Sequence, residues 1–426
     1  MQMAQTTWLP PVRDAWTQFS HIFSDDTIYA SPLGVAWAPG RVNIIGEHTD
    51  YNGGFVLPLA VDRVAAFAGR VRNDKTVRLW SSHFKESVQF SLDGLTETFD
   101  LQREALPSWA RYILGVATEL SRMGIALNGF DTVVTGDVPL GGGMSSSAAL
   151  EVAAAHACAL FSNGQLTIGQ SDATFSPLQV AALCQRAEQM ASGVMCGILD
   201  QAASCLGQPH NAILLDCRSL VYRYLPFNAP DVSIVVIDTG VRRELAASAY
   251  NERRQQCEDA VMLLRELLLN VKLENTQTPN IQELRDVTPA QFAQFKDHLP
   301  EVLQRRAGYV IAENDRVLQV VDLLEQGQIE KAGAILWQGH AGLRDEYEVS
   351  CTELDALVEI AGQISGVLGA RMMGGGFGGC TINLVRNDAV EPLRQLVEQQ
   401  YPQRSGRTAS IDICHAAAGP GYTFLA

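Results

Sequence analysis

Apolar and polar positions alternate over short runs in the first half of the chain and recur at helical spacing in the second. Val35–Ala38 and Arg41–Ile45 read as short strands around a Pro39-Gly40 turn, and Phe55–Ala60 as a strand after the Asn52-Gly53-Gly54 turn. Thr76–Trp80 alternates as a strand, and a polar stretch without clear periodicity runs on to about Leu106. Thr132–Val134 leads as a strand into a Gly-rich turn. The Ala- and Leu-dense segment Ser145–Phe161 that follows predicts a helix, as does Pro177–Met190. Ala212–Asp216 and Ser233–Asp238 are strand candidates. Asn251–Val271 carries Cys257, Val261, Leu264 and Leu268 on one helix face. Ala307–Gln326, Glu353–Ile364 and Val390–Gln400 predict further helices, Cys380–Val385 a strand and Ser410–Ala416 a closing strand. The mixture is α+β with several antiparallel connections, not a regular βα alternation. A boundary near residue 220 divides it into two expected domains, 1–220 and 221–426.

Composition narrows the classes of partner. With 32 basic and 47 acidic residues the formal charge is -15, and no basic block occurs. Nucleic acid and anionic membrane need a positive footprint, so neither is an expected partner. The N-terminal stretch lacks a charged start followed by an apolar core, and Ala148–Phe161 is too short and too interrupted to span a bilayer. The nine cysteines are scattered with no CxxC pair, which favours buried, reduced thiols and a cytoplasmic setting. Composition leaves oligomeric state open, with a monomer as the expectation.

The first clear chemistry lies in Pro139–Ala153, PLGGGMSSSAALEVA. Gly141, Gly142 and Gly143 let the backbone approach a bulky anion, with Met144 between them and the serines. Ser145, Ser146 and Ser147 then open a helix whose free N–H groups and dipole favour the same anion. A serine hydroxyl there can also ligate Mg²⁺. An ordinary Gly-rich turn with a Ser cap is the competing reading. No Gly-Lys dipeptide occurs, so a Walker loop is absent, and the protein-kinase motif set is missing too. Gly374–Gly379 fits GxGxxG, but a strand pattern follows where a dinucleotide site requires a helix.

Two more segments concentrate polar groups. Arg41–Gly54 packs Arg41, Glu47, His48, Asp50 and Asn52 between apolar strands, a donor and acceptor array suited to a polyhydroxylated ligand. Cys196–Gln201, CGILDQ, sets Asp200 after a glycine among apolar neighbours, where it is a candidate general base. A helix-capping role is the alternative for Asp200.

Set side by side, GRVNIIGEHTDYNGG (Gly40–Gly54), PLGGGMSSSAALEVA, CGILDQ and MMGGGFGGC (Met372–Cys380) resemble the motifs of the galactokinase family in the GHMP kinase superfamily. Asp216–Leu220, Tyr250–Cys257 and Asp345–Ser350 resemble family stretches as well, in order, so the likeness runs from about residue 20 to the C-terminus. The resemblance implies an N-terminal ribosomal protein S5 domain 2-like domain and a C-terminal α+β domain, with the active site between them. It implies phosphoryl transfer from ATP to the C1 hydroxyl of α-D-galactose, with Mg²⁺. Arg41 would neutralise charge near the transferred phosphate, and Asp200 would be the base or orienting carboxylate. Glu47, His48, Thr49, Asp50, Gly197 and Tyr250 would line the sugar pocket. Gly141–Ser147 would hold the phosphates, Ser147 and Glu188 the metal, and Ser81 and Trp109 would touch the nucleotide. Asp238-Thr239-Gly240 departs from the Asn-containing strand end common in the family, which bears on substrate preference. A sibling kinase for another sugar, such as N-acetylgalactosamine or arabinose, and a sugar sensor without turnover are the rival readings. The intact Ser145–Ala149 and Asp200 speak against the sensor.

Overall fold

The computed structural model describes residues 8–24, 33–162, 164, 166–169, 173–227, 229–242, 246–270 and 280–425. The described chain opens with helix α1 (Pro10–Ile22), whose prolines occupy the first turn, where a missing N–H costs nothing. Strands β1 (Leu33–Asn43), β2 (Phe55–Val56), β3 (Pro58–Val71), β4 (Thr76–Ser81) and β5 (Glu86–Ser91) follow. Then come helices α2 (Leu95–Ala105) and α3 (Ser108–Arg122), strand β6 (Phe130–Gly136), and helices α4 (Ser146–Phe161), α5 (Pro177–Ser192) and α6 (Leu199–Cys205). The remainder runs β7 (Asn211–Asp216), β8 (Tyr222–Pro226), β9 (Val232–Asp238), α7 (Ala246–Asn270), α8 (Pro289–Phe295), α9 (Glu301–Glu325), α10 (Ile329–Asp345) and α11 (Thr352–Ala361). It closes with β10 (Val367–Met373), β11 (Cys380–Arg386), α12 (Val390–Ser405), β12 (Ser410–Cys414) and β13 (Gly421–Leu425).

Three sheets organise these elements: β13-β1-β3-β6-β4-β5, β10-β11-β9-β12 and β2-β7-β8. Only the β4–β6 pairing is parallel among the described strands. The architecture is mixed α+β, as the alternation implied.

Several boundaries differ from the sequence reading, each for a physical reason. Pro39-Gly40 does not reverse the chain; it forms a bulge inside one long strand, where the register with β3 shifts between Pro39 and Arg41. Gly40 is needed there because a Cβ would meet the Met144 carbonyl at 2.8 Å, and the Arg41 N–H donates to that same carbonyl at 3.1 Å. The stretch read as aperiodic contains the β5 strand and helix α2, and helix α3 beyond it was not read. In α3 the buried set Trp109, Ile113, Leu114, Val116, Ala117 and Leu120 keeps helical spacing. Ser410–Cys414 is not the closing strand, since β13 returns to pair antiparallel with β1. Val271 of the predicted helix Asn251–Val271 lies outside the described residues.

Helix α4 is buried on almost every side, between sheet and helices, because its alanines permit close approach all round. That packing fixes its N-terminus, and with it the Gly-rich loop. All nine cysteines are free; Cys196 and Cys217 are half-buried and the others buried. No helix among the described residues is long and apolar enough to cross a membrane.

Candidate active site

The Gly-rich loop links β6 to α4 and leans on the end of the second sheet. Gly141 and Gly143 adopt φ of 63° and 78°, and Ser145, at φ 55°, is one of few non-glycine residues in that region. At Gly143 a Cβ would lie 2.4 Å from the Cys380 sulfur, and at Gly142 one would lie 2.8 Å from an Asp238 oxygen. The loop is therefore shaped by close approach as much as by backbone freedom. Gly143→Ala combines a left-handed φ with that overlap, so it is expected to destabilise the fold by about 1–3 kcal/mol. It should also weaken nucleotide binding. Thermal melting and the KM for ATP read the two effects, and a variant with both unchanged would contradict the packing described here.

Arg41 leaves β1 just past the bulge and reaches both the loop and α6. Its Nε donates to Asp200 Oδ1 at 2.7 Å and its Nη1 to the Gly143 carbonyl at 2.5 Å. Ser145 Oγ donates to Asp200 Oδ2 at 2.5 Å. Burial pulls the Arg41 guanidinium down, but Asp200 outweighs this and leaves it firmly charged. Asp200 sits in the first turn of α6 with its side chain 32% exposed, enough to meet a ligand. Ser147 Oγ donates to Glu188 Oε1 at 2.9 Å. Burial, then the Asp200 charge, pushes the Glu188 carboxyl up to about 7. These two oxygen donors beside a carboxylate-rich wall fit Mg²⁺, which takes one or two protein oxygens and fills the rest with phosphate and water. Among the described residues no group of three or more His, Cys, Asp or Glu could hold a metal by itself.

The Arg41–Gly54 loop divides its labour. Glu47 is buried, ion-paired with Arg371 of β10, and accepts the Gly374 N–H at 3.2 Å. Thr49 turns inward, its single hydroxyl hydrogen shared between the Gly46 and Phe55 carbonyls, each 2.8 Å away. These two residues hold the loop itself. Asp50, by contrast, is half-buried against Gly197, where a Cβ would lie 2.0 Å from its Oδ2. Tyr250 is half-buried and lines the cleft, its ring 5.4 Å from that of His48. His48 has φ 63°, and its Nδ1 shares a 2.8 Å hydrogen bond with the Tyr51 hydroxyl. Tyr51 in turn meets Tyr347 at 2.7 Å, and Tyr347 meets the Cys257 sulfur at 3.2 Å. The His48 Nε2 is buried without a hydrogen bond of ordinary geometry, although the Gly375 backbone is near enough to favour the protonated ring slightly. Burial first, then Arg253 and Arg371, pulls His48 down to about 3, so the ring is neutral. Tyr51→Phe removes its fixed partner. The expected result is a roughly 2–10-fold rise in KM for the acceptor, the worth of one hydrogen bond, with the KM for ATP unchanged. A parallel rise in both constants would contradict the local role.

Asp50 carries a pH signature. Burial first, then the Asp200 charge, pushes its carboxyl up to about 7. A carboxyl raised on folding binds its proton more tightly in the native state. Its stabilising contribution is therefore complete below the unfolded value and lost as pH rises through about 7. The ligand-free protein should lose melting temperature from about pH 5 to about pH 8 more steeply than Asp50→Asn. Equal slopes would remove Asp50 as the cause.

Two cavities open on the loop. One of about 390 Å³ is lined by Gly141, Gly143, Ser147, Tyr250, Arg242 and the Gly375–Gly379 backbone. The other, about 270 Å³, is lined by Ser81, Phe84, Trp109, Val138, Leu140 and Ser146. Trp109 stacks on Phe84 with centroids 6.2 Å apart and donates its Nε1–H to Glu86 at 2.6 Å. Ser81 Oγ accepts the Phe84 N–H at 3.2 Å. Asp238, the departure noted in the sequence, accepts both Nη groups of Arg242, at 2.9 and 2.6 Å. Arg242 Nε donates to the Leu140 carbonyl at 3.0 Å, clasping the Gly-rich loop from β9.

Sequence reasoning did not single out Arg371, Tyr51, Tyr347 or Arg242. Arg371 left one signal: a lone guanidinium in the apolar strand Val367–Met373 demands a buried acid. The strand after Gly374–Gly379 is present as β11, so that run serves as a cleft wall.

A Gly-rich loop feeding a helix N-terminus, beside an Arg–Asp pair in a cleft between two sheets, defines a small-molecule kinase of the GHMP class. The GHMP kinase N-terminal domain model matches residues 111–208 and the C-terminal model residues 320–403. Mevalonate kinase of Methanococcus jannaschii shares the fold at TM-score 0.60 with 16% identity, covering 90% of this chain and 98% of that one. Within the class, the galactokinase galactose-binding signature matches residues 17–71. The chain is 42% identical over 390 residues to a galactokinase of Roseiflexus sp. (strain RS-1), covering 92% of this chain and 93% of the relative. It is 42% identical over 406 residues to one of Chloroflexus aggregans, covering 93% and 97%. The structure of Lactococcus lactis galactokinase complexed with galactose superposes at TM-score 0.84 with 33% identity, covering 95% of this chain and 98% of that one. The chain belongs to the galactokinase family and is a kinase, an enzyme of phosphoryl transfer.

Proposed function

We propose that the protein transfers the γ-phosphoryl group of ATP to the C1 hydroxyl of α-D-galactose, giving galactose 1-phosphate and ADP. The observation that carries this reading is Asp200 held between Arg41 and Ser145 at the lip of the Gly-rich loop. Each Asp200 oxygen accepts one hydrogen bond and keeps a lone-pair site for an incoming hydroxyl. Phosphoryl transfer needs in-line positioning and charge neutralisation more than covalent help. Asp200 would orient the hydroxyl or accept its proton, while Arg41 would face the charge of the transferred group. The N–H groups from Gly141 to Ser147 would hold the phosphates. The apolar cavity at Ser81 and Trp109, which shares Ser146 with the loop, suits the nucleotide base. Asp50, Gly197, His48 and Tyr250 would contact the sugar, with Glu47 and Thr49 supporting their loop. Mg²⁺, held by Ser147 and Glu188, would supply countercharge to the phosphates.

A panel of sugars in an ADP-release assay tests the acceptor. Galactose should exceed N-acetylgalactosamine, arabinose and glucose in kcat/KM. A different preferred sugar would move the reading to a sibling kinase, and ATP and galactose binding without turnover would move it to a sensor.

A further inference from the structure

Directly behind the site lies a buried polar group that the mechanism above does not use. Gln201 follows Asp200 in α6 and is 0% exposed, as is Glu151, one turn beyond Ser147 on α4. The Gln201 Nε2 donates to Glu188 Oε2 at 2.5 Å and to Glu151 Oε2 at 3.0 Å. Both amide hydrogens are thereby used. In this orientation the Gln201 Oε1 and the Glu151 Oε1 are buried without a hydrogen-bond partner. Burial first, then the Glu188 charge, pushes the Glu151 carboxyl well above the usual range. The Gln201 amide thus ties α4, α5 and α6 together. It fixes one oxygen of Glu188 so that the other meets Ser147 Oγ at 2.9 Å.

We infer that Gln201, seated on Glu151, is a positioning residue that aims Glu188 at the metal and, through α6, sets Asp200 in the same frame. The inference rests on the reading of Glu188 as a metal ligand. It separates Gln201 from a plain core amide: its loss should fall on metal binding before anything else.

The test uses the full-length enzyme with a non-hydrolysable ATP analogue and Mn²⁺ as the spectroscopic probe. Mn²⁺ affinity is read by electron paramagnetic resonance and galactose affinity, without nucleotide, by calorimetry. Gln201→Met, of similar length but without hydrogen bonds, should bind Mn²⁺ roughly 10–100-fold more weakly, the usual cost of losing a partner of a metal ligand. Galactose affinity should be unchanged. Glu151→Gln keeps an acceptor oxygen for the Gln201 amide and should retain Mn²⁺ affinity. If Gln201→Met does not fold, Gln201→Asn keeps the amide but is too short to span both acids, and the same Mn²⁺ loss is expected. Glu188→Gln separates the two claims. Unchanged Mn²⁺ affinity in that variant removes the metal reading. Weakened affinity there, beside a folded Gln201 variant that binds Mn²⁺ normally, overturns the positioning role.

Discussion

Asp200→Asn is expected to lower kcat by roughly 10²–10⁴, the range of a lost acid–base group, while galactose binding persists. The substitution is nearly isosteric. An amide oxygen can still accept from Arg41 Nε, and its NH₂ can donate to Ser145 Oγ, which now donates to Asp200 at 2.5 Å. Local geometry should therefore survive, and only the negative charge and proton acceptor disappear. Single-turnover kinetics with calorimetric galactose affinity separate chemistry from binding. A variant near wild-type kcat would end the assignment of Asp200. A loss confined to galactose affinity would make it a binding residue only.

Arg41→Lys is expected to cost about 10²–10³ in kcat, the scale of one lost transition-state donor. The charge is kept, so this substitution isolates the geometry of the guanidinium. Arg41 donates simultaneously to Asp200 and to the Gly143 carbonyl, from two nitrogens of one rigid plane. A single ammonium cannot span both partners at those distances. Asp200 would lose its orienting partner and the loop its tether, so turnover should fall more than galactose affinity does. An unchanged rate would show that bulk positive charge is all the site requires.

These expectations rest on residues of uneven legibility. The Gly-rich loop could be read as a candidate anion site, because three glycines and three serines meet at a strand-to-helix junction, and Asp200 as a candidate base with a capping role as its alternative. Polarity in the Arg41–Gly54 loop marked the site as a whole but not the task of each side chain. Thr49 is consumed by its own turn, and Glu47 by Arg371, which lies 324 positions away. Tyr51 is bonded to Tyr347 across 296 positions. No local periodicity encodes such pairs; they exist only once β10 and α10 are packed behind the loop. The fold behaved similarly. Helices α4, α5, α7 and α9 were visible from their sequence, whereas α3 and α10 were not read, and nor was β13, whose five residues acquire meaning only through the free edge of β1. The Pro39-Gly40 bulge was misread for the opposite reason: a strong local turn signal yielded to the close approach of Met144.

The most direct test of the central claim is identification of the product. Purified protein, ATP, Mg²⁺ and galactose should yield ADP and an equal amount of α-D-galactose 1-phosphate, seen by phosphorus and proton nuclear magnetic resonance as phosphate coupled to the anomeric proton. Phosphate on any other hydroxyl, or ADP formed without a sugar phosphate, would contradict it.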